Sequence, residues 1–176
     1  VTASATRANG AKTTYVADNL KDDNKDTYWA TNDDVKTATL TFEWDTPQTI
    51  RYVSMMEYIR LGQRIKGFSI ETSEDGQNFV KRGGNIATTT VGYKRIIPLN
   101  GSTQNSYGTG YKAKIVRITI TDSKACPLLH TVSIYLNHPH YSDKTTMNIK
   151  KYLSLAGLLF PMGMMAQTDS LLCDFE

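Results

Sequence analysis

56-MEYIRLGQRIKGFSIETSEDGQNF-79 is the stretch on which the fold turns. Over residues 64–73 the side chains alternate, with Phe68 and Ile70 on one set of faces and Ser69 and Glu71 opposite. That is the period of a half-buried β-strand, not of a helix. Glu74-Asp75-Gly76 then supplies turn chemistry, because Asp can bond its own backbone and Gly is free to take positive φ. Phe79 starts the return, so the stretch predicts a β-hairpin with an aromatic anchor just past its turn.

The same alternation recurs on both sides. Residues 37–44 place Leu40, Phe42 and Trp44 inward and Thr39, Thr41 and Glu43 outward; Thr46-Pro47-Gln48 is expected to end that strand, and residues 50–56 form the next. Residues 114–121 form a strong strand with Val116, Ile118 and Ile120 inward, and Val132, Ile134 and Leu136 make the last. Plentiful Thr and Tyr suit an all-β fold. The 176 residues allow one domain plus a tail, and about 140 residues bury a full core unaided. Residues 1–9 read as the inside of a domain, as if the chain were cut at its front.

Charge narrows the partners. The net +3 is the small difference between 20 basic and 17 acidic residues, with no block of like charge. Nucleic acid is therefore not an expected partner, since phosphate binding needs a concentrated basic surface. Cys126 and Cys173 lie in unlike segments and are expected to be free thiols; no zinc-type spacing exists.

Ser73-Glu74-Asp75-Gly76-Gln77-Asn78-Phe79 resembles the S-x-D-G-x-x-W/F hairpin of discoidin-like domains, also called coagulation factor 5/8 type C domains, which include many carbohydrate-binding modules. More narrowly, Glu57 with Leu61-Gly62-Gln63-Arg64-Ile65, the block from Thr89 to Arg95, and Val116-Arg117-Ile118 through Pro127-Leu128-Leu129 to Tyr135 are similar to the C-terminal β-sandwich of retaining α-L-fucosidases. The resemblance covers roughly residues 1–136. It implies an all-β, discoidin-like jelly-roll β-sandwich whose last strand returns beside the first.

The resemblance extends to residues 15–29, YVADNLKDDNKDTYW, which look like the family stretch A-x-D-G-x-x-x-T-x-W, with Asp23 where the family has Gly. In the family the Trp packs under the sandwich and the loop often wraps calcium. The implied ligand positions here are Lys21, Asp22, Asn24 and Thr27, and the implied cofactor is a structural Ca²⁺, which takes roughly six to eight oxygens. Thr131 stands where the family's last strand offers a Glu, which removes a charged ligand. The alternative is a solvated acidic loop held by Asx turns.

Residues 57–64 carry the equipment for a sugar: the Tyr58 ring for an apolar C–H face, and Glu57, Arg60, Gln63 and Arg64 for hydroxyls. Tyr93 and Arg95 are expected to join this carbohydrate-binding set as partners at a surface. The competing expectation is an internal ion pair, Glu57 with Arg64, that pins the loop or docks it on a neighbouring domain. The glycines before Tyr93 form no phosphate loop, since neither G-x-G-x-x-G nor G-K-[ST] is present. Residues 100–111 are either a mobile tip or a second sugar-contacting loop.

The end of the chain differs in kind. Residues 137–146 read as a linker whose His138-Pro139-His140 is not expected to bind metal. Residues 147–176 open with Met147, two lysines, a short apolar run and Met165-Ala166-Gln167, the anatomy of a secretory signal peptide. The expectation is a junction between one exported protein and the start of another; the alternative is a C-terminal hydrophobic tail folded as a helix against the sandwich or a membrane.

A retaining glycosidase needs two carboxyls about 5–5.5 Å apart, usually on a barrel, and the chain has no alternating βα units to build one. The expected function is a non-catalytic carbohydrate-binding module of an α-L-fucosidase-like hydrolase, directed to fucosylated glycans. The alternative is a structural domain packed on the catalytic barrel. The partners are thus a glycan or the parent catalytic domain, with no membrane expected for the sandwich, at the surface or in the periplasm of a bacterium, or secreted.

Overall fold

The structure, a computed structural model, describes residues 1–83, 90–99 and 110–135. Leu136, the 137–146 linker, the tail from Met147 with Cys173, and nearly all of the 100–111 loop lie outside the described residues. Nine strands run β1 (Thr2–Ala3), β2 (Trp29–Ala30), β3 (Ala38–Ile50), β4 (Tyr52–Glu57), β5 (Ile65–Ser73), β6 (Val80–Arg82), β7 (Arg95–Pro98), β8 (Tyr111–Ser123) and β9 (Leu128–Tyr135) among the described residues. They form two antiparallel sheets, β1-β3-β8-β5-β6 and β2-β9-β4-β7, as expected for a discoidin-like sandwich. The helical turns Ala17–Lys21 and Ile59–Leu61 are short 3-10 turns. No helix among the described residues is long and apolar enough to cross a membrane.

Alternation becomes a core because register aligns it. Phe68 of β5 faces Ile120 of β8, Ile70 faces Ile118, and Leu40 of β3 faces Ile118 from the other side. All are buried, together with Val53, Met55, Ile97, Leu129, Val132 and Ile134 of the second sheet. Each such side chain contributes about 1.5–3 kcal/mol on leaving water. A one-residue slip in β5 or β8 would turn the apolar set outward, so the register is strongly specified.

The hairpin forms as the sequence predicts, with Ile70 opposite Arg82 and Thr72 opposite Val80. Gly76 takes φ +83°, and the Asp75 carboxylate accepts the Gln77 and Asn78 backbone N–H groups at 2.8 Å each and the Asn78 amide at 2.6 Å. These bonds, the Asn78 backbone first, hold the Asp75 carboxyl well below the usual carboxylate range. Phe79 is half-buried, and the Arg117 guanidinium covers its ring at 3.5 Å. The aromatic anchor is therefore a cation–π lid and not a core residue.

Two expectations are corrected. Thr46-Pro47-Gln48 does not end a strand: β3 continues to Ile50, with its pairing to β8 shifting register between Glu43 and Gln48. The irregularity accommodates Pro47, which has no N–H to give a ladder. Nor does the last strand lie beside the first. β9 sits between β2 and β4, while β1 pairs with β3 in the other sheet. After β1 the chain crosses over, and the Arg7 N–H bonds the Ala30 carbonyl at 2.7 Å, so β2 takes the place expected of β1.

Candidate functional site

Glu57 ends β4 and is the best-held side chain of the polar loop that follows. It is 1% exposed. One carboxylate oxygen accepts the backbone N–H groups of Arg64 (2.7 Å) and Ile65 (2.9 Å), and the other those of Val91 (3.0 Å) and Gly92 (2.7 Å). Buried N–H groups need partners, and this one side chain satisfies four of them across two chain segments. Gly92 takes φ +74° there, and a side chain would meet the Gln63 amide at 3.3 Å.

The expected ion pair of Glu57 with Arg64 is thereby corrected. Arg64 gives Glu57 its backbone N–H, and its guanidinium turns away to the Cys126 carbonyl (3.1 Å), the Cys126 sulfur (2.7 Å) and the Leu61 carbonyl (3.0 Å). The carboxylate has amides enough, which frees the guanidinium for another face. Glu57 itself is buried, with both carboxylate oxygens taken by backbone N–H groups.

Tyr58 stacks on Tyr28 with ring centroids 4.3 Å apart, and Tyr15 tilts against Tyr28 at 5.3 Å. Arg60 lies 5.7 Å from the Tyr58 ring centre and bonds Asp26 at 2.5 Å. Tyr58 thus has one face on another tyrosine, so the three rings form a ridge instead of an open platform. Burial, then the contact with Tyr15, pushes the Tyr28 phenol up, so it keeps its proton at neutral pH. Gln63 is exposed, Tyr93 is 63% exposed, and Arg95 is half-buried on β7.

Beside the ridge lies a cavity of about 110 Å³, lined by Arg7, Tyr28, Asp33, Leu61, Arg64 and Cys126, with Ala30 and Leu128 as apolar walls. Arg7 bonds the Thr31 carbonyl at 3.1 Å, the Asp33 carboxylate, and the Cys126 sulfur at 3.6 Å. That guanidinium holds the Asp33 carboxyl below the usual carboxylate range. Cys126 is a free, buried thiol, as expected for it. The structure therefore brings together Arg64, Tyr58 and Arg60 of the sequence set and adds Arg7, Tyr28, Asp33 and Cys126. The additions come from three distant segments, and only Tyr28, inside the T-x-W pattern, carried any local signal.

The acidic loop closes on itself. Asp22 accepts the Asn24 N–H at 2.9 Å, Asn24 accepts the Asp26 N–H at 3.0 Å, and the Thr27 hydroxyl lies 2.6 Å from Asp22 and 3.1 Å from the Asn24 carbonyl. Asp23, at the family's Gly position, takes φ +57°, a left-handed conformation that Asp tolerates better than most residues. The Thr131 hydroxyl is engaged with His130 at 2.6 Å. The converging donors are all oxygen, which fits a hard cation in kind; they bring a single carboxylate, that of Asp22, and no group of three metal-binding side chains occurs among the described residues.

Residues 1–131 match the F5/8 type C domain family. Alpha-L-fucosidase 1 of Arabidopsis thaliana is 23% identical over 131 residues, which are 74% of this chain and 24% of that protein. A crystal structure of a Bacteroides thetaiotaomicron protein assigned as an α-L-fucosidase is 31% identical with a TM-score of 0.65, covering 78% of this chain and 27% of that one. The module CpGH89CBM32-5 from Clostridium perfringens, solved with GalNAc-β-1,3-galactose, shares the fold at 17% identity and a TM-score of 0.59, covering 76% of this chain and 92% of that one. The chain thus spans about a quarter of the length of these fucosidases.

Proposed function

The chain belongs to the F5/8 type C domain family, and from that premise we propose that it is a non-catalytic carbohydrate-binding module of an α-L-fucosidase-like hydrolase, taking one sugar unit at the cavity beside the tyrosine ridge. The observation that carries this reading is the convergence of two guanidiniums, a carboxylate and a phenol on one small, partly apolar-walled cavity. Forked guanidiniums and a carboxylate suit vicinal hydroxyls, while Leu61, Ala30 and Leu128 suit a ring's C–H face. The likeness to fucosidases supports an appended targeting role, in which a roughly millimolar contact, about −4 kcal/mol, is enough to hold a tethered enzyme near its polymer.

Calorimetric titration of the full chain with a panel of oligosaccharides, fucosylated ones included, tests it. Binding should weaken about tenfold in Arg64→Gln, a loss of about 1.4 kcal/mol, with the melting temperature kept. A folded chain that binds no member of the panel would overturn the reading and favour the domain as a structural partner of a catalytic barrel. Exposed Tyr93 (63%) and Ile96 (42%), close in sequence on and before β7, offer such a barrel an apolar contact.

The acidic loop is proposed to hold a structural Ca²⁺ through Asp22, Asn24, Thr27 and the Lys21 carbonyl. With one carboxylate its affinity belongs at the weak end, about 10⁻⁴–10⁻³ M. Calcium at about ten times that constant should then stabilise the fold by about 1.4 kcal/mol. Melting curves in chelator and in calcium, for the native chain and Asp22→Ala, give the answer: a calcium-dependent rise lost in the variant supports the site, and coincident curves refute it.

A further inference from the structure

Resting on the glycan reading above, we propose that the cavity selects an acidic sugar, and that Arg7 and Arg64 grip the carboxylate of a uronic-acid unit or the sulfate ester of a sulfated one. Size limits the ligand first. A cavity of about 110 Å³ is well below the roughly 300–1,000 Å³ of pockets that enclose a drug-sized ligand. It admits a ring edge and one substituent, not an oligosaccharide.

Charge points to an anion. Two guanidiniums line the cavity against a single carboxylate, Asp33, whose side chain is 85% exposed and already paired with Arg7. Arg64 makes no salt bridge among the described residues, because Glu57 is occupied by four backbone amides and Asp33, whose charge Arg64 also feels, is paired with Arg7. A neutral sugar would leave this surplus positive charge uncompensated.

Free donors complete the case. Among the described residues Arg7 uses Nε for the Thr31 carbonyl and Nη2 for Asp33 and Cys126, which leaves Nη1. Arg64, again among the described residues, uses Nη1 for Cys126 and Nη2 for the Leu61 carbonyl, which leaves Nε and one Nη2 hydrogen. The guanidinium groups are thus fixed by backbone carbonyls while part of each fork stays unspent, and a planar fork matches a two-oxygen anion. Leu61 and the Ala30–Leu128 wall meet the sugar carbons beside it.

The test uses the full chain in calorimetric titrations with galacturonic acid, galactose 6-sulfate and galactose. The two anions should bind at least about tenfold tighter than galactose, and their advantage should fall as salt is added. Arg64→Gln should abolish that advantage and Arg64→Lys restore only part of it, since lysine keeps the charge without the fork. Asp33→Asn, which removes the competing carboxylate, should strengthen the anions. Preference for galacturonic acid alone identifies a carboxylate ligand, and for the sulfate alone a sulfated glycan; either supports the inference. Galactose bound as tightly as both anions, or an anion preference that survives Arg64→Gln, overturns it while leaving the glycan reading standing. Failure of every sugar, these three and the panel alike, overturns both.

Discussion

Glu57→Gln is expected to destabilise the domain by about 2–4 kcal/mol although it changes almost no volume. The amide oxygen of Gln can replace one carboxylate oxygen and keep two of the four backbone N–H bonds. Its NH₂ must then face the other two, either those of Arg64 and Ile65 or those of Val91 and Gly92, and so leaves buried donors confronting a donor. Each unsatisfied buried donor costs about 1–3 kcal/mol. Urea denaturation measures this as a lowered midpoint at unchanged slope. Glu57→Ala, which also opens a cavity, should lose more. If Glu57→Gln melts with the native chain, the carboxylate is not what joins these segments.

Glu57 lies at the boundary between what is legible in the sequence and what is not. β5 and β8 could be read from alternation because each has one buried and one open face, so every second letter reports the core. The bulge in β3 could not, because Pro47 carries the same letter whether it ends a strand or sits in a register shift within one. At the candidate site the polar letters of residues 57–64 name Arg64, which lines the cavity, and Glu57, which is buried instead and bonded to backbone amides. The partners of Glu57 are backbone amides, which every residue but proline possesses and no letter announces. Arg7, Asp33 and Cys126 escaped for a different reason. Their meeting depends on the crossing from β1 to β2 and on the turn before β9, which are long-range arrangements that local pattern does not encode.

Structure and site are nonetheless built from the same parts. Glu57 fixes the backbone of Arg64 from below, while the Cys126 and Leu61 carbonyls fix its guanidinium from the side. Tyr28 and Ala30, which also line the cavity, flank the buried Trp29 in sequence, so the packing of one indole bears on where a phenol and a strand edge meet the cavity. Rigid support of this kind is what the proposed sugar site requires, because it lowers the cost of ordering the loop on binding.

Trp29→Ala is accordingly the second large effect, about 3–5 kcal/mol. The side chain is 0% exposed and among the largest in the core, and its indole N–H donates to the Ala5 carbonyl at 3.1 Å. It therefore ties the segment after β1 to β2 as well as filling space. β2 has only two residues, Trp29 opposite Leu129 and Ala30 opposite Leu128, so its ladder holds few bonds of its own. Beside the bonds of the Arg7 N–H to the Ala30 carbonyl and of the Thr31 N–H to the Pro127 carbonyl, packing of this one ring is therefore expected to be the main force keeping β2 on the sheet edge. Trp29→Phe separates the two contributions: it keeps most of the apolar volume, loses the bond to Ala5, and should cost about 1–3 kcal/mol. Because Tyr28 and Ala30 adjoin residue 29 and line the cavity, Trp29→Phe should also weaken the proposed sugar binding there while remaining folded. Urea midpoints and calorimetric titration on the same preparations measure both. A loss below about 1 kcal/mol for Trp29→Ala would mean that β2 is held by its neighbours and not by its tryptophan.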